Sequence, residues 1–546
     1  MKASARRTSL LAAVVMLLAG CNLQQAHASA APMPQFVEKN GKWAFMVDGE
    51  PFFMLGAQAN NSSNYPAALG KVWPVLEKMG ANTLEIPVAW EQIEPKEGQF
   101  DFSYVDTLLD QARQHKLRLV LLWFGTWKNT GPAYTPGWVK LDNRRFPRMI
   151  DAKGKTIYAL SPFGEETLKA DSKAFAALMG HLKSVDPQRT VILMQVENES
   201  GTYGTVRDYA PVAQKVFDAP VPAALAQKLG KEPGTWQQVF GQDADEFFHA
   251  WAIASYINKV AQAGQAVYPL PMYVNAALRD PFKYQAPHTY AAGGPTWNVL
   301  DVWKAAAPAI AGEEPDIYGH TFAEVMGQIA RYHRPGNPFF VPELGNTPWF
   351  ARFFFPVLGN QALGFAPFGM DYTGYGNYPL GAPRVTDEII APFALEYSLI
   401  APMMREWAKI SLEKPIWGVA EPDDHASQTE TLGRWLLTVD YQQWQFGPVD
   451  KDHKNGVPPG TEKPSGGVLV AQLGPDEFLV MGVNARVSFG LADKESPLQT
   501  QFDRVEEGRY EKGQWVMDRV WNGDQTDWGL NLTTAPQVLR VKLATF

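Results

Sequence analysis

Between residues 52 and 370 short apolar runs alternate with longer amphipathic stretches, the rhythm of successive strand–helix units around a parallel sheet. The runs at 52–56, 83–88, 117–123, 191–196, 271–274, 316–318, 339–341 and 362–366 read as eight strands. Between the first two, Val72, Val75, Leu76 and Met79 fall at i, i+3, i+4 and i+7, and between the next two Val105, Leu108, Leu109 and Ala112 repeat that spacing. Each set is one apolar face of a helix. Eight such units predict a (β/α)8 TIM barrel over residues 34–410, with long loops at its mouth. A doubly wound open sheet is the alternative, but no glycine-rich phosphate fingerprint follows the first strand.

After a last helical stretch at 392–409 the texture changes to short β-rich runs separated by turns, at 435–439, 467–472, 478–482, 487–489, 515–520 and 538–543. Gly474-Pro475-Asp476-Glu477 joins two of them; Pro presets φ there and Asp bonds its own backbone. Residues 411–546 therefore read as a C-terminal all-β, sandwich-like domain, with 451–466 as a loop. The other end of the chain reads differently. Lys2, Arg6 and Arg7 precede an apolar run at 10–18 that is too short to span a bilayer, and the whole has the layout of a secretory signal. Leu18-Ala19-Gly20-Cys21 resembles the bacterial lipobox, which implies a lipoprotein signal over 1–20, lipidation of Cys21 and a flexible tether over 21–33. Asn22, rather than Asp, after that cysteine implies an outer-membrane lipoprotein, on the periplasmic or cell-surface face. A plain secretory signal with an incidental cysteine is the other reading of this stretch.

Composition narrows the chemistry. With 46% hydrophobic and 12% aromatic residues the chain is too apolar to be disordered. A net charge of −8, from 49 Lys+Arg against 57 Asp+Glu, and the lack of any long basic run argue against nucleic acid as a partner. The single cysteine excludes an intrachain disulfide and a thiolate metal cluster. Nine scattered histidines form no His-Glu-x-x-His helix, and neither a Gly-x-Ser-x-Gly elbow nor a Walker loop is present. No metal and no cofactor is implied.

In a barrel of this kind reactive side chains sit at the C-terminal ends of the strands. Val191-Ile192-Leu193-Met194 runs into Gln195-Val196-Glu197-Asn198-Glu199, and Pro338-Phe339-Phe340-Val341 runs into Pro342-Glu343-Leu344-Gly345. By strand count these are the fourth and seventh strands, on opposite sides of the mouth. Two facing carboxyls are what glycosidic cleavage requires, one to protonate the leaving oxygen and one to attack the anomeric carbon. A lone glutamate at a strand end also serves as a cap or salt-bridge partner; the joint placement is the informative feature.

Asn198-Glu199 and Glu343 together resemble the acid/base and nucleophile of the clan A retaining glycoside hydrolases. Val88-Ala89-Trp90-Glu91-Gln92-Ile93-Glu94-Pro95 followed by Gly98-Gln99-Phe100-Asp101-Phe102 is similar to the second-strand signature of families 35 and 42, both β-galactosidase families, and the run 192–201 is most similar to family 35. The resemblance implies a retaining, exo-acting β-galactosidase of the bacterial branch with a short C-terminal β-domain, acting on a plant-type oligosaccharide such as a xyloglucan side chain. It also implies that Glu199 starts protonated with a raised pKa, that Glu343 stays ionised, and that the two carboxyls lie about 5 to 5.5 Å apart. Asn198 would bind the sugar 2-hydroxyl, Tyr318 would orient Glu343, and Trp123, Trp127, Trp138 or Trp349 would stack on sugar rings. Glu91 and Glu94 are read as structural, and Asp316 and His320 as chance neighbours of Tyr318. One departure stands out: Leu-Gly-Asn-Thr-Pro separates Glu343 from Trp349, where family 35 members place aromatics almost directly after the nucleophile. Another clan A specificity, such as β-glucosidase or β-mannosidase, and a non-catalytic carbohydrate-binding lipoprotein are the competing readings.

Overall fold

A computed structural model describes residues 31–445 and 456–546; the signal, Cys21 and most of the tether lie outside the described residues. Eight parallel strands, Met54–Gln58, Thr83–Ala89, Arg118–Lys128, Val191–Asn198, Met272–Ala277, Gly312–Ile317, Val341–Leu344 and Gly364–Pro367, close in sequence order into a barrel. The two helical faces expected from the apolar spacing belong to Trp73–Met79 and Ser103–Gln114, and both are buried. Gly80 ends the first of these in the left-handed region at φ 69°, a conformation that costs glycine no Cβ clash. Among the described residues no helix is long and apolar enough to cross a membrane.

The sixth strand lies earlier than its expected place at 316–318. It is Gly-Glu-Glu-Pro-Asp-Ile, Gly312–Ile317, with every residue buried. Three acids and a proline conceal a strand from any search for apolar runs. They fit because Glu314 accepts the Phe340 amide at 2.9 Å, while burial pushes the Glu313 carboxyl up to about 7 and that of Glu314 well above the usual range. Buried acids here shed their charge rather than find a counterion. A three-stranded antiparallel sheet, Gln35–Lys39, Lys42–Val47 and Glu50–Phe52, precedes the barrel and lacks any counterpart in the apolar pattern. Phe45, Val47 and Phe52 pack it against Val120, Leu122, Ile192 and Phe340 inside the barrel, so it seals the end where the strands begin.

The single helical stretch expected at 392–409 is two helices, Asp387–Ile400 and Met404–Glu413, separated by a 3-10 turn at Ala401–Met403. The all-β region then opens at Ile416, as a six-stranded and a four-stranded antiparallel sheet. Period-2 alternation divides the six-stranded sheet between two cores. Val468, Val470, Phe478 and Val480 meet Trp435, Leu437 and Val439 of the other sheet, whereas Leu469, Ala471, Leu479 and Met481 join the core shared with the barrel. The long strand Thr500–Glu511 escapes an apolar search because it is stitched by charge, with Arg519 on Glu507 at 2.6 Å and Trp515 on Glu506 at 2.8 Å.

Where the two parts meet, backbone lies on backbone. A Cβ on Gly418 would sit 2.1 Å from the Phe355 carbonyl, and one on Gly359 would sit 2.2 Å from the Gly418 amide. Gly418→Ala should therefore cost about 1–3 kcal/mol by overpacking, read as a lower melting temperature of the full chain. An unchanged melting temperature would refute this packing of barrel on sheet.

Candidate active site

The fourth strand ends abruptly. Glu197 and Glu199 both adopt left-handed backbone conformations, at φ 63° and 46°, which non-glycine residues hold only when their surroundings impose it. Here the imposing contacts are visible. Glu197 accepts the Thr126 and Trp127 amides at 3.1 and 2.6 Å, and its carboxyl is paired with that of Asp171, which accepts Trp123 Nε1 at 2.9 Å and Thr126 Oγ1 at 2.7 Å. Burial and the Asp171 charge push Glu197 well above the usual carboxylate range, so the two acids share a proton beneath the site. A Cβ on Gly125 would fall 2.6 Å from Glu197 Oε1, so only glycine lets the third strand approach this closely.

Above this floor Asn275, on the fifth strand, ties three elements together. Its Oδ1 accepts the Glu199 amide at 3.0 Å, and its Nδ2 donates to Asn198 Oδ1 at 3.2 Å and to Asp316 Oδ2 at 2.7 Å. Asn129 Nδ2 donates to Glu199 Oε2 at 2.6 Å. Across the mouth, Glu343 accepts the Tyr318 hydroxyl on Oε1 at 2.5 Å and Gln58 Nε2 on Oε2 at 2.9 Å. Carboxylate oxygens of Glu199, Asp316 and Glu343 lie within 4.8 Å of one another, and all three residues are buried. Asp316 neighbours Glu343 directly in the register of the sixth and seventh strands. The Nδ2 of Asn198 is buried without a partner, a donor left free at the edge of the carboxyl pair.

Burial, and then the negative Glu199 opposite, push Glu343 up to about 7 against the lowering pull of Lys128, Tyr318 and Gln58. Asp316 is driven well above its ordinary value by burial and by both glutamates. The upward push expected on the acid/base thus falls, in the free site, on the residue expected to be the nucleophile. The physical reason is crowding: three carboxyls in one enclosed mouth cannot all ionise, and the protons they retain belong to the group as a whole.

Residues 69–262 match the glycoside hydrolase family 42 model, described as Beta-galactosidase, and residues 393–533 match a domain of unknown function, DUF5597. The family 42 match covers the second to fourth strands of the barrel, and over that stretch the chain is similar to a glycoside hydrolase domain. A Beta-galactosidase of Xanthomonas manihotis is 28% identical over 214 residues, 36% of this chain and 32% of that protein, so the match spans about a third of the relative's length. Similar solved structures include the catalytic domain of a beta-amylase from Paenibacillus polymyxa (13% identity, 62% of this chain and 96% of that one, TM-score 0.45) and a beta-galactosidase from the psychrophilic Marinomonas ef1 (12% identity, 66% and 61%, TM-score 0.46).

Among the residues singled out from sequence, Asn198, Glu199, Tyr318 and Glu343 come together at the mouth. The tryptophans do not join them. Trp123 is fully buried on the outer face of the third strand, packed against Phe175 and bonded to Asp171. Trp349 packs on Phe350, Phe353 and the Arg352 guanidinium, away from the cavity beside the carboxyls. Trp127 is buried with its Nε1 on the Leu160 carbonyl, and Trp138 packs edge-on to Trp90. Glu91 pairs with Lys140 at 3.0 Å, and Glu94 accepts the Gly98 amide at 2.7 Å; both hold local structure. Gln58, Asn129, Asn275 and Asp316 were not expected at the site. Their one signal was being polar residues at or just after strand ends.

The proton balance gives a direct consequence. Glu343 moves from an ordinary value of 4.5 to about 7 in the folded chain. Between those values the native state holds a proton that the unfolded chain releases, so this group's contribution to stability declines as pH rises through the window. Glu343→Gln removes the titration and the repulsion. Its melting temperature should exceed that of the wild type by about 2 °C or more, with the gap widening from pH 4.5 to 7 and constant above. A gap that narrows over that range would contradict the assignment.

Proposed function

We propose that the protein is a retaining, exo-acting β-galactosidase that removes terminal β-galactosyl residues from plant-type oligosaccharides, xyloglucan side chains among them, by double displacement in the manner of family 35. The observation that carries the reading is the enclosed Glu199–Glu343 pair, with oxygens within 4.8 Å and separate donors on each side. So close an approach is nearer to the roughly 5 to 5.5 Å of a retaining pair than to the roughly 6.5 to 9.5 Å of an inverting one. Glu199 protonates the glycosidic oxygen while Glu343 attacks the anomeric carbon, which gives a covalent glycosyl-enzyme and frees the aglycone. Positive charge developing on the sugar favours ionised Glu343 and so leaves the proton with Glu199. Once Glu343 is esterified its charge is gone; Glu199 then takes a proton from water, whose oxygen displaces the carboxylate.

Tyr318 and Gln58 keep Glu343 aimed, since each donates to one of its carboxylate oxygens and together they fix the plane of the carboxylate, with a lone pair of either oxygen left for attack. The free amide of Asn198 is the donor for the sugar 2-hydroxyl, a bond that tightens as the oxocarbenium-like state forms. The residues assigned to the reaction need no metal or cofactor. Outside the barrel, the lipobox-like stretch at Cys21 supports an outer-membrane lipoprotein, attached through its N-terminal lipid alone.

Two experiments test this reading. On a panel of nitrophenyl β-glycosides the galactoside should be turned over best, and Glu343→Gly should lower kcat at least 1000-fold, as loss of a nucleophile does. Turnover of a glucoside or mannoside in its place would keep the mechanism and move the specificity; full activity in the variant would sink the mechanism. For the anchor, Cys21→Ser should move the protein from the membrane fraction to the soluble one. A wild-type protein that is soluble after fractionation would end the lipoprotein assignment.

A further inference from the structure

The cavity beside the carboxyl pair is much larger than one sugar ring needs. It measures about 640 Å³, in the range of clefts that enclose ligands several rings across. A second cavity, of about 490 Å³, lies on the other side of Arg279 and Gln285, which line both. Both are rimmed by aromatic rings that the fold leaves in solvent: Tyr203 is 46% exposed, Tyr375 67%, Tyr378 77% and Tyr284 83%. Exposed rings grouped around one cleft mark a binding surface rather than scattered surface residues. Tyrosine suits a sugar, because its face packs on the C–H side of a pyranose while its hydroxyl stays wet.

The loop that carries Tyr375 and Tyr378 is built rather than loose. At its root the buried Asp371 carboxylate accepts the Asn60 amide at 2.9 Å, the Ser63 hydroxyl at 2.7 Å and the Thr373 amide at 2.9 Å. At its far end the Ala382 amide donates to Asn346 Oδ1 at 2.7 Å. Within it, a Cβ on Gly376 would lie 2.1 Å from the Pro383 carbonyl, so the turn folds tightly on itself and holds the two rings outward. Such a platform loses little freedom when a ligand arrives.

We infer that Tyr375 and Tyr378, with Tyr203, form aglycone subsites that stack successive pyranose rings, and that the substrate is a neutral oligosaccharide of at least three sugars rather than a disaccharide. This rests on the hydrolase reading for its chemistry but not for its binding. The wild-type full chain should show kcat/KM rising at least tenfold from a β-galactosyl disaccharide to the matching tetrasaccharide. Tyr375→Ala/Tyr378→Ala should abolish that rise while leaving kcat/KM on β-galactosyl fluoride within twofold, because fluoride is too small to reach an aglycone subsite. A wild-type kcat/KM that stays flat with chain length, or an equal loss on both substrates, overturns the inference.

Calorimetric titration of the tetrasaccharide into Glu343→Gln protein separates the two failures. Tenfold weaker binding on removing the two tyrosines supports the subsites even if the wild type turns nothing over, an outcome that sinks the hydrolase reading alone. Unchanged binding sinks the subsites alone.

Discussion

Holding three carboxyls within 4.8 Å of one another in a buried mouth is the constraint around which the site is arranged. Like charges this close, away from water, raise one another's pKa and push the strands that carry them apart. Several features of the barrel offset that push. Closure fixes the sixth and seventh strands in register, so Asp316 and Glu343 cannot drift away from each other. The Asn275 amide binds Asn198, Glu199 and Asp316 at once, and Lys128 supplies a positive charge that lowers both Glu343 and Asp316. The left-handed backbone at Glu197 and Glu199 is part of the same arrangement: strain there is sustained by the Asp171–Glu197 pair below and the Asn275 bond above.

The barrel interior continues the theme below the mouth. Burial raises Glu85 well above the usual carboxylate range; it accepts the Tyr273 hydroxyl at 3.3 Å and feels the charge of Glu343. Glu314, two residues before Asp316 and on the same face of the sixth strand, is similarly raised. A column of neutral acids costs less than a column of carboxylates and keeps the interior polar without counterions. The sheet at Gln35–Phe52 closes the barrel from below, and the opening of the barrel is its mouth. Burial of Glu199, Asp316 and Glu343 within that mouth strengthens each hydrogen bond to their carboxyls.

These facts explain which parts of the molecule were legible in the sequence. The second, third and fourth strands could be read because Val, Leu and Ile dominate them, the first, fifth and eighth lie within about three residues of their expected places, and the seventh, expected at 339–341, is Val341–Leu344; Glu199 and Glu343 could be read because each follows an apolar run. The sixth strand was displaced because its inward residues are acids whose burial depends on protonation, which hydropathy does not register. Gln58, Asn129 and Asn275 are single amides whose meaning comes from neighbours distant in sequence; Gln58 and Glu343 are 285 residues apart. The tryptophans misled because large aromatics fill core more often than they line clefts. Trp123 points outward to a helix, and the rings that do face the cleft are tyrosines on a loop with no periodic pattern.

The departure from the family pattern after the nucleophile has a structural use. Gly345 lets the Phe350 ring lie against the chain directly behind Glu343, for a Cβ there would meet that ring at 2.1 Å. Asn346 holds the end of the tyrosine loop through the Ala382 amide. Arg352, buried beneath Trp349, donates to Asp423 at 2.6 Å and to the Pro464 carbonyl at 3.2 Å, both in the C-terminal region. Asp423 in turn accepts the amide of Phe322 at 2.9 Å, four residues beyond Tyr318. One carboxylate of the β-domain thus braces the segments that follow the sixth and seventh strands, just beyond Tyr318 and Glu343. Residues 345–352 join the end of the Glu343 strand, the tyrosine loop and the C-terminal region, and that accounts for a sandwich fused to the barrel through a common core rather than hung from a flexible linker.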